Sequence, residues 1–390
     1  MSDERTDCVV VGGGPSGLLL ALLLARAGRQ VTVVERGDGS GPPPVNISPF
    51  LSPPSLLLFA GLGMADELAA LGQPVREVVE HTADDRFVLD YATHGGGAPP
   101  YALSVPLWSL SRMLREALAR EATATVLLSS SVLGLEARPD EVEVELPDRT
   151  VTTRFLMCSD GKFSTVRELA GIEADVFTFD RPMVMVLPPR SGGWPERLAI
   201  HHTERDALVA AMPVADGILA AQWLADPAEF EAVRAGDVDR LHDRFNDVVP
   251  ELAGPLAAVK SWDDVLIVQH HVVQPHVWSR GRVALLGDTA HGVHSLGGQG
   301  LNMGIQDAVV LAGLLAEAGP DAGTEPLLAY EKLRRPFVEE FQRYQMSLPQ
   351  LTSTAGPGDG RPIYAAVAEI MASGQPGLSP GYRGRRGTSG

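Results

Sequence analysis

Val283-Ala284-Leu285-Leu286-Gly287-Asp288-Thr289-Ala290-His291 is followed, five residues on, by Gly297-Gly298-Gln299-Gly300-Leu301-Asn302. The apolar run reads as a strand that stops at Gly287. Asp288 then stands at the strand's carboxyl end, the edge at which open α/β sheets bind ligands. The glycine run opens a helix expected over 301–316. The first N–H groups of a helix lack intrahelical partners and carry the positive end of its dipole, so they favour negative charge. A carboxylate suited to a polyol and a helix N-terminus suited to an anion thus lie a few residues apart.

A second strand-to-turn unit opens the chain. Cys8-Val9-Val10-Val11 is a buried type of β run, and Gly12-Gly13-Gly14-Pro15-Ser16-Gly17 completes G-x-G-x-x-G behind it. A helix is expected over 15–27, with Pro15 in the first turn, where a missing N–H costs nothing. Val31-Thr32-Val33-Val34 is the next strand, and Glu35 and Arg36 follow it. The acid lies 18 positions after the last glycine of the motif. This β–turn–α–β unit is a dinucleotide fingerprint: Gly12, Gly14 and Gly17 permit a tight turn and close approach of a pyrophosphate, and Glu35 accepts ribose hydroxyls while disfavouring a 2′-phosphate. A third unit repeats the pattern, where the run Phe155-Leu156-Met157-Cys158 stops at Ser159-Asp160-Gly161-Lys162. Taken alone, Asp-Gly is also a common turn dipeptide.

With 390 residues, 45% apolar and 21% charged, the chain reads as an ordinary globular protein of one to three domains. A net charge of −17 argues against a nucleic-acid partner and against an electropositive membrane-binding face. Cys8 and Cys158 sit in apolar runs and read as buried thiols of a reducing compartment. The longest apolar run, 18–25, is eight residues, against roughly 20 for a bilayer span. With no signal-peptide pattern at Asp3-Glu4-Arg5, the expectation is a cytoplasmic protein without a membrane partner.

Between these units, 37–54 is a Gly/Pro-rich loop, a helix is expected over 55–71, and no Arg or Lys occurs from Gly37 to Val75. Ser111 reads as the cap of a helix over 112–121, with Arg112 at its start. Residues 126–146 alternate as strands or a hairpin turning at Asp140-Glu141. Strands at 183–187, 197–202, 208–212, 217–223 and 264–273, with one helical stretch at 227–249, suggest a second, mostly antiparallel layer. His201, His202, His270, His271 and His276 show no metal-type spacing, so no metal is expected. Alternation puts His270 and His271 on opposite faces of a strand. Helices over 324–346 and 363–371 and a Gly/Pro/Arg-rich tail complete the chain.

Gly12–Gly17 with Glu35, Asp160-Gly161 with Arg167, and Gly287-Asp288 with Gly297–Asn302 resemble, in order and spacing over roughly 5–350, the three fingerprints of the single-component (class A) flavoprotein monooxygenases, the aromatic hydroxylases related to 4-hydroxybenzoate hydroxylase. The resemblance implies an α/β fold: a Rossmann-like FAD-binding domain at 1–75, 105–172 and 276–350, with an interleaved α+β substrate domain built on a β-sheet at 76–104 and 173–275, and 351–390 as a short helix and flexible tail. It implies non-covalent FAD, NADPH or NADH as transient reductant, O2, and an aromatic or polycyclic small molecule hydroxylated in secondary metabolism by a monomer or homodimer. Baeyer–Villiger oxygenation, epoxidation, dehydrogenation and an FAD-binding accessory role remain open within the same fold. By the same resemblance, Gly12, Gly14 and Gly17, with Pro15 and Ser16 in the same turn, approach the FAD pyrophosphate. Glu35, with Arg36 beside it, meets the adenosine ribose. Arg112 reaches the FAD phosphates or ribityl chain, Asp160 serves FAD and NAD(P)H, and Asp288 holds the ribityl chain. The backbone at Gly298, Gly300, Leu301 and Asn302 faces the pyrimidine edge of the flavin. No general base is implied; His270, His271 and His291 are candidates only. The chain departs from the family pattern twice. Pro42-Pro43-Pro44-Val45-Asn46-Ile47 lacks the usual loop arginine, and Gly292-Val293-His294-Ser295-Leu296 lacks the usual proline.

Overall fold

The computed structural model describes residues 3–43, 47–82, 85–93, 99–319, 322–356, 358 and 361–373. Pro44, Val45 and Asn46 of the arginine-less loop, and the tail beyond 373, lie outside them. Five strands form a parallel core in the order Val283–Leu285, Thr150–Cys158, Asp3–Val11, Val31–Val34, Ala124–Leu127. Val9, Val10 and Val33 are wholly buried. Parallel strands covered on both faces are expected to be this Val-rich. The helix Pro15–Arg26 covers one face and packs against the helix Gly300–Glu317. The helices meet closely enough that a Cβ on Gly304 would lie 2.3 Å from Ser16 Oγ.

The chain leaves Asp3–Val11 in one direction for Val31–Val34 and returns on its other side as Thr150–Cys158. That reversal opens a crevice at the carboxyl edge, the ligand position in sheets of this kind. The register is level there: Val11 pairs with both Val34 and Cys158, and Cys158 with Leu285. Three turns therefore emerge side by side. On the edge away from Asp3–Val11, Thr150–Cys158 serves two neighbours, since its first half pairs antiparallel with Val142–Glu145 and its last residues pair with Val283–Leu285.

A seven-stranded sheet runs in the order Val265–Val268, Met183–Val186, Ile218–Leu224, Leu208–Val214, Arg197–His202, Glu77–His81, Arg86–Asp90. It is antiparallel except where Arg197–His202 meets Glu77–His81. Its strands alternate between two cores. Val184, Val186, Val209, Ala211, Leu219, Ala221 and Trp223 pack with Phe230, Leu241 and Phe245. Met183, Leu208, Ala210, Met212 and Ala220 join the core shared with the parallel sheet. The period-two alternation of a strand produces this division. A three-stranded sheet, Phe50–Leu51 with Ala102–Ser104 and Gln73–Val75, joins segments that the sequence separates.

Several elements differ from the sequence expectation. The single helix over 55–71 is two, Pro53–Gly61 and Ala65–Leu71, broken where Gly63 takes φ +75°. The helix expected from 112 begins at Leu107, behind Pro106, so Ser111 lies inside it and caps nothing. The stretch 227–249 is likewise broken, into Pro227–Arg234 and Asp239–Asn246. The strand expected over 264–273 is also two, Val265–Val268 and His271–Pro275, which enter different sheets. Residue His270 sits at that break. No described helix is long and apolar enough to cross a membrane.

Candidate active site at the carboxyl edge of the parallel sheet

The first turn is closed by contacts that only glycine allows. Gly12 has φ +108°, and a Cβ there would lie 2.2 Å from the Ser159 carbonyl oxygen. A Cβ on Gly17 would lie 2.4 Å from the Gly12 carbonyl oxygen. Gly14 differs: nothing stands within 4 Å of its missing Cβ, so the middle of the motif faces open space. Pro15 is the first residue of the helix Pro15–Arg26, whose N-terminus has no side-chain cap. Ser16 turns its hydroxyl towards Gly287 and Gly304, away from that space. The Glu35 carboxylate accepts from Gly13 N–H at 2.5 Å and Gly37 N–H at 2.6 Å, and Arg36 is exposed beside it.

The second turn is self-organised. Asp160 accepts from Ser164 Oγ at 2.5 Å and Val166 N–H at 3.3 Å, and Ser164 in turn caps Arg167 N–H. Arg167 is buried and donates to the Lys162 carbonyl at 3.0 Å. Thr289 Oγ1 accepts from Gly161 N–H at 2.9 Å and donates back to the Gly161 carbonyl at 3.2 Å. The second and third turns are thereby stitched together.

Within 282–294, Asp288 is the one exposed residue, and it has no hydrogen bond or ion pair among the described residues. Its Oδ1 lies 3.9 Å from where a Cβ on Gly300 would be, so the carboxylate stands over the start of the helix Gly300–Glu317. That helix also lacks a side-chain cap. Gly297 and Gly298 take φ +93° and +65° in the turn before it. Leu301 is half-buried, and Asn302 is fully buried and faces inward. Asn302 Oδ1 accepts from Ser52 N–H, Ser52 Oγ and Ser55 Oγ, and Nδ2 donates to the Phe50 and Gly298 carbonyls at 3.1 and 2.9 Å. Its side chain thus ties the glycine turn to 50–55. Asn302→Leu is expected to strand these groups and cost about 1–3 kcal/mol, read as a lower urea midpoint.

Arg112 is exposed on the helix Leu107–Leu118. Its guanidinium is 5.0 Å from the Trp108 ring and 3.8 Å from Glu116 on the same helix. Arg115, one turn on, reaches the Gly39 carbonyl at 3.3 Å instead.

The candidate histidines divide by environment. His291 is buried and paired through Nε2 with Asp307, which also accepts from Gly287 N–H at 3.0 Å and from Arg334 Nε at 2.8 Å. Burial alone would raise the Asp307 carboxyl, but His291 and Arg334 outweigh it and hold the group at about 2. This triad fixes the third turn from behind. The sequence reading missed Asp307 and Arg334, although an aspartate inside an apolar helical run is itself a signal that a buried partner exists. His271 Nδ1 and Thr178 Oγ1 are 2.9 Å apart across the strand pair. His270 is buried; desolvation, with Lys162 and His271 nearby, pushes it down to about 3. Burial thus disfavours the protonated imidazole, which weakens His270 as a general base at neutral pH. Both thiols are buried and free, and burial pushes Cys8 up to about 12 and Cys158 well above the ordinary range. No metal-type cluster of side chains occurs among the described residues.

Three side-by-side turns, two uncapped helix N-termini and one unpartnered carboxylate define a nucleotide-cofactor site of the doubly wound α/β class. The family model described as "FAD binding domain" matches residues 5–344. Protoasukamycin 4-monooxygenase of Streptomyces nodosus subsp. asukaensis is 32% identical over 370 residues, covering 92% of this chain and 91% of that protein. 6-Methylpretetramide 4-monooxygenase of Streptomyces rimosus is 28% identical over 367 residues, covering 90% and 85%. The crystal structure of P. aeruginosa PqsL with 2-aminobenzoylacetate superposes with a TM-score of 0.81 at 23% identity, covering 94% of this chain and all of that one. The chain belongs to the FAD-binding family of class A flavoprotein monooxygenases and is an FAD-dependent oxidoreductase of the monooxygenase type. The site fits that cofactor: open space at Gly14 for a pyrophosphate, free N–H groups at both helix starts, and Asp288 free to accept hydroxyls.

Proposed function

We propose that this chain uses NADPH or NADH and O2 to hydroxylate an aromatic, polycyclic small molecule of secondary metabolism. The observation that carries the reading is Asp288, an unpartnered carboxylate standing over an uncapped helix N-terminus beside two further strand-end turns. Gly12, Gly14 and Gly17 admit the FAD pyrophosphate to the N-terminus of Pro15–Arg26. Glu35 exchanges its backbone N–H partners for ribose hydroxyls. Asp288 holds the ribityl chain, and the N–H groups at Gly300 and Leu301 stabilise negative charge on the ring when it is reduced. Bound FAD supplies the redox chemistry: it takes a hydride from the nicotinamide and passes one oxygen atom of O2 to an electron-rich carbon, the other leaving as water. Ser16 and Asn302 serve by packing and Asp160 by ordering its turn.

The polycyclic substrate class is supported by the names of the two Streptomyces relatives and by the apolar face of the seven-stranded sheet. Met183 of that face lies 3.4 Å from Ser295 Oγ, so the sheet meets the 292–296 segment directly. Stopped-flow mixing of the yellow protein with NADPH or NADH, with and without a polycyclic phenol, tests the reading. Bleaching of the flavin band, then reoxidation by O2 with oxygen entering the phenol, is the expected result. A flavin that neither nicotinamide reduces under any condition sinks it. Asp288→Ala is expected to weaken FAD retention on the order of 10–100-fold, the worth of one or two charge-assisted hydrogen bonds, measured by apoprotein titration. Because Asp288 is exposed and unpaired, the unfolding midpoint of the apoprotein should not move.

A further inference from the structure

The 292–296 segment, where the chain departs from the family pattern, buries an imidazole pair. Gln345 grips it from the helix Glu325–Met346, accepting from His294 N–H at 2.9 Å and donating to the His294 and Leu296 carbonyls at 3.0 and 2.7 Å. Gln342 Nε2 donates to the Gly292 carbonyl at 3.1 Å. So held, the His294 ring packs 3.9 Å from the His270 ring and edge-on to Phe179 at 5.1 Å. The two imidazoles are 1% and 7% exposed.

The tautomer of His294 follows from its partners. Its Nδ1 accepts from Leu296 N–H at 2.9 Å, so in the neutral ring the proton is on Nε2. That Nε2 is buried without a partner among the described residues, and so is His270 Nδ1. The ring planes are tilted by 36°, and no hydrogen bond links the two imidazoles among the described residues. Buried polar groups are nearly always paired, and an unpaired one costs its full desolvation. Two adjacent orphans therefore point to a group that is brought to them. The charge nearby states its kind. Lys162 donates from Nζ to the carbonyl of Val293, the residue before His294, at 2.7 Å, and its positive charge acts on both imidazoles; among the described residues no carboxylate pairs with either ring. An N–H donor beside a cation and no carboxylate suits an electron-rich oxygen.

We infer that His294 Nε2–H and His270 form a positioning subsite for a phenolic or enolic oxygen of the substrate, which anchors the ring to be hydroxylated against the 292–296 segment. This rests on the monooxygenase reading, and it assigns a role to residues on which that reading does not depend. Burial, followed by neighbouring positive charge, disfavours the charged form of both imidazoles. They therefore orient the oxygen by hydrogen bonding and do not take its proton.

The test is equilibrium binding of 1-naphthol and of naphthalene to FAD-loaded protein by dialysis, for the parent chain, His294→Phe, His270→Phe and His294→Gln. FAD content and unfolding midpoint are measured on each. The parent chain is expected to prefer 1-naphthol about tenfold, the worth of one or two hydrogen bonds. Each Phe variant should lose most of that preference while still binding naphthalene and FAD, and His294→Gln, which keeps an N–H donor, should recover part of it. An equal preference in parent and Phe variants, the result that a trapped water on the orphans would give, overturns the inference, as does a parent chain with no preference. Because the readout is binding, failure here is separate from failure of flavin reduction, which tests the enzyme reading.

Discussion

Asp307→Ala is expected to destabilise the protein by about 3–5 kcal/mol. Asp307 is wholly buried between His291 and Arg334, and Arg334 is itself 1% exposed. Removing the carboxylate leaves the guanidinium in the interior without a counter-charge and strands Gly287 N–H, whose one acceptor among the described residues is Asp307 Oδ2. The loss is carried to the cofactor, because Gly287 is the residue before Asp288. A lower urea midpoint together with lost FAD retention is the expected pair of results; a midpoint within 1 kcal/mol of the parent, an order-of-magnitude threshold, would show that the triad is dispensable. Acid should act through the same group. Its folded value is depressed to about 2, against roughly 3.9 in an unfolded chain. Its contribution is present above about pH 4 and is lost as the pH falls from there towards 2, and Asp307→Asn should flatten that limb of the stability profile.

Gly12→Ala is the second large effect. At φ +108° a Cβ carries intrinsic strain, and the atom it would strike, at 2.2 Å, is the backbone oxygen of Ser159. A flexible side chain would yield; a backbone oxygen at the end of a central strand does not. Strain and overpacking together are expected to cost about 2–5 kcal/mol and to spread Asp3–Val11 from Thr150–Cys158 at the crevice. FAD binding should be lost with it, measured as colourless protein after purification in the presence of the cofactor. Gly14→Ala provides the contrast. Nothing stands within 4 Å of that position, so the apoprotein should keep its stability while the pyrophosphate space is filled. Equal destabilisation by the two substitutions would contradict this division of roles.

The strand-end turns were legible because their chemistry is local. A β run, a glycine turn and an acid lie within one stretch of chain at each of Gly12–Gly17, Asp160-Gly161 and Gly287-Asp288, and no distant residue is needed to read them. The period-two alternation also announced a second, antiparallel layer. What failed locally failed for local reasons that pattern alone does not weigh. Pro106 starts a helix five residues before the apparent cap at Ser111, and Gly63 breaks a run whose apolar spacing continues across it. The strand through His270 looked continuous because apolar residues lie on both sides of the break, yet its halves belong to different sheets.

By itself the sequence determined the class of fold, the FAD-binding family and the order of the nucleotide turns, since residues adjacent in the chain carry each of these. Only the tertiary structure decided what each polar side chain does. Asn302 points inward to Ser52 and Ser55, Ser16 packs on Gly304, and His291 is committed to an aspartate 16 residues away and through it to Arg334 on the next helix. The same is true of His270 and His294, whose rings are brought within 3.9 Å from a strand break and a loop. Such partners are set by which elements pack together, so no local spacing encodes them. At Gly287–Asn302 the two halves of the account meet. The chain's own pattern marks the stretch as a cofactor turn, and the packing of Gln345, Phe179 and His270 against its middle is what the proposed substrate subsite rests on.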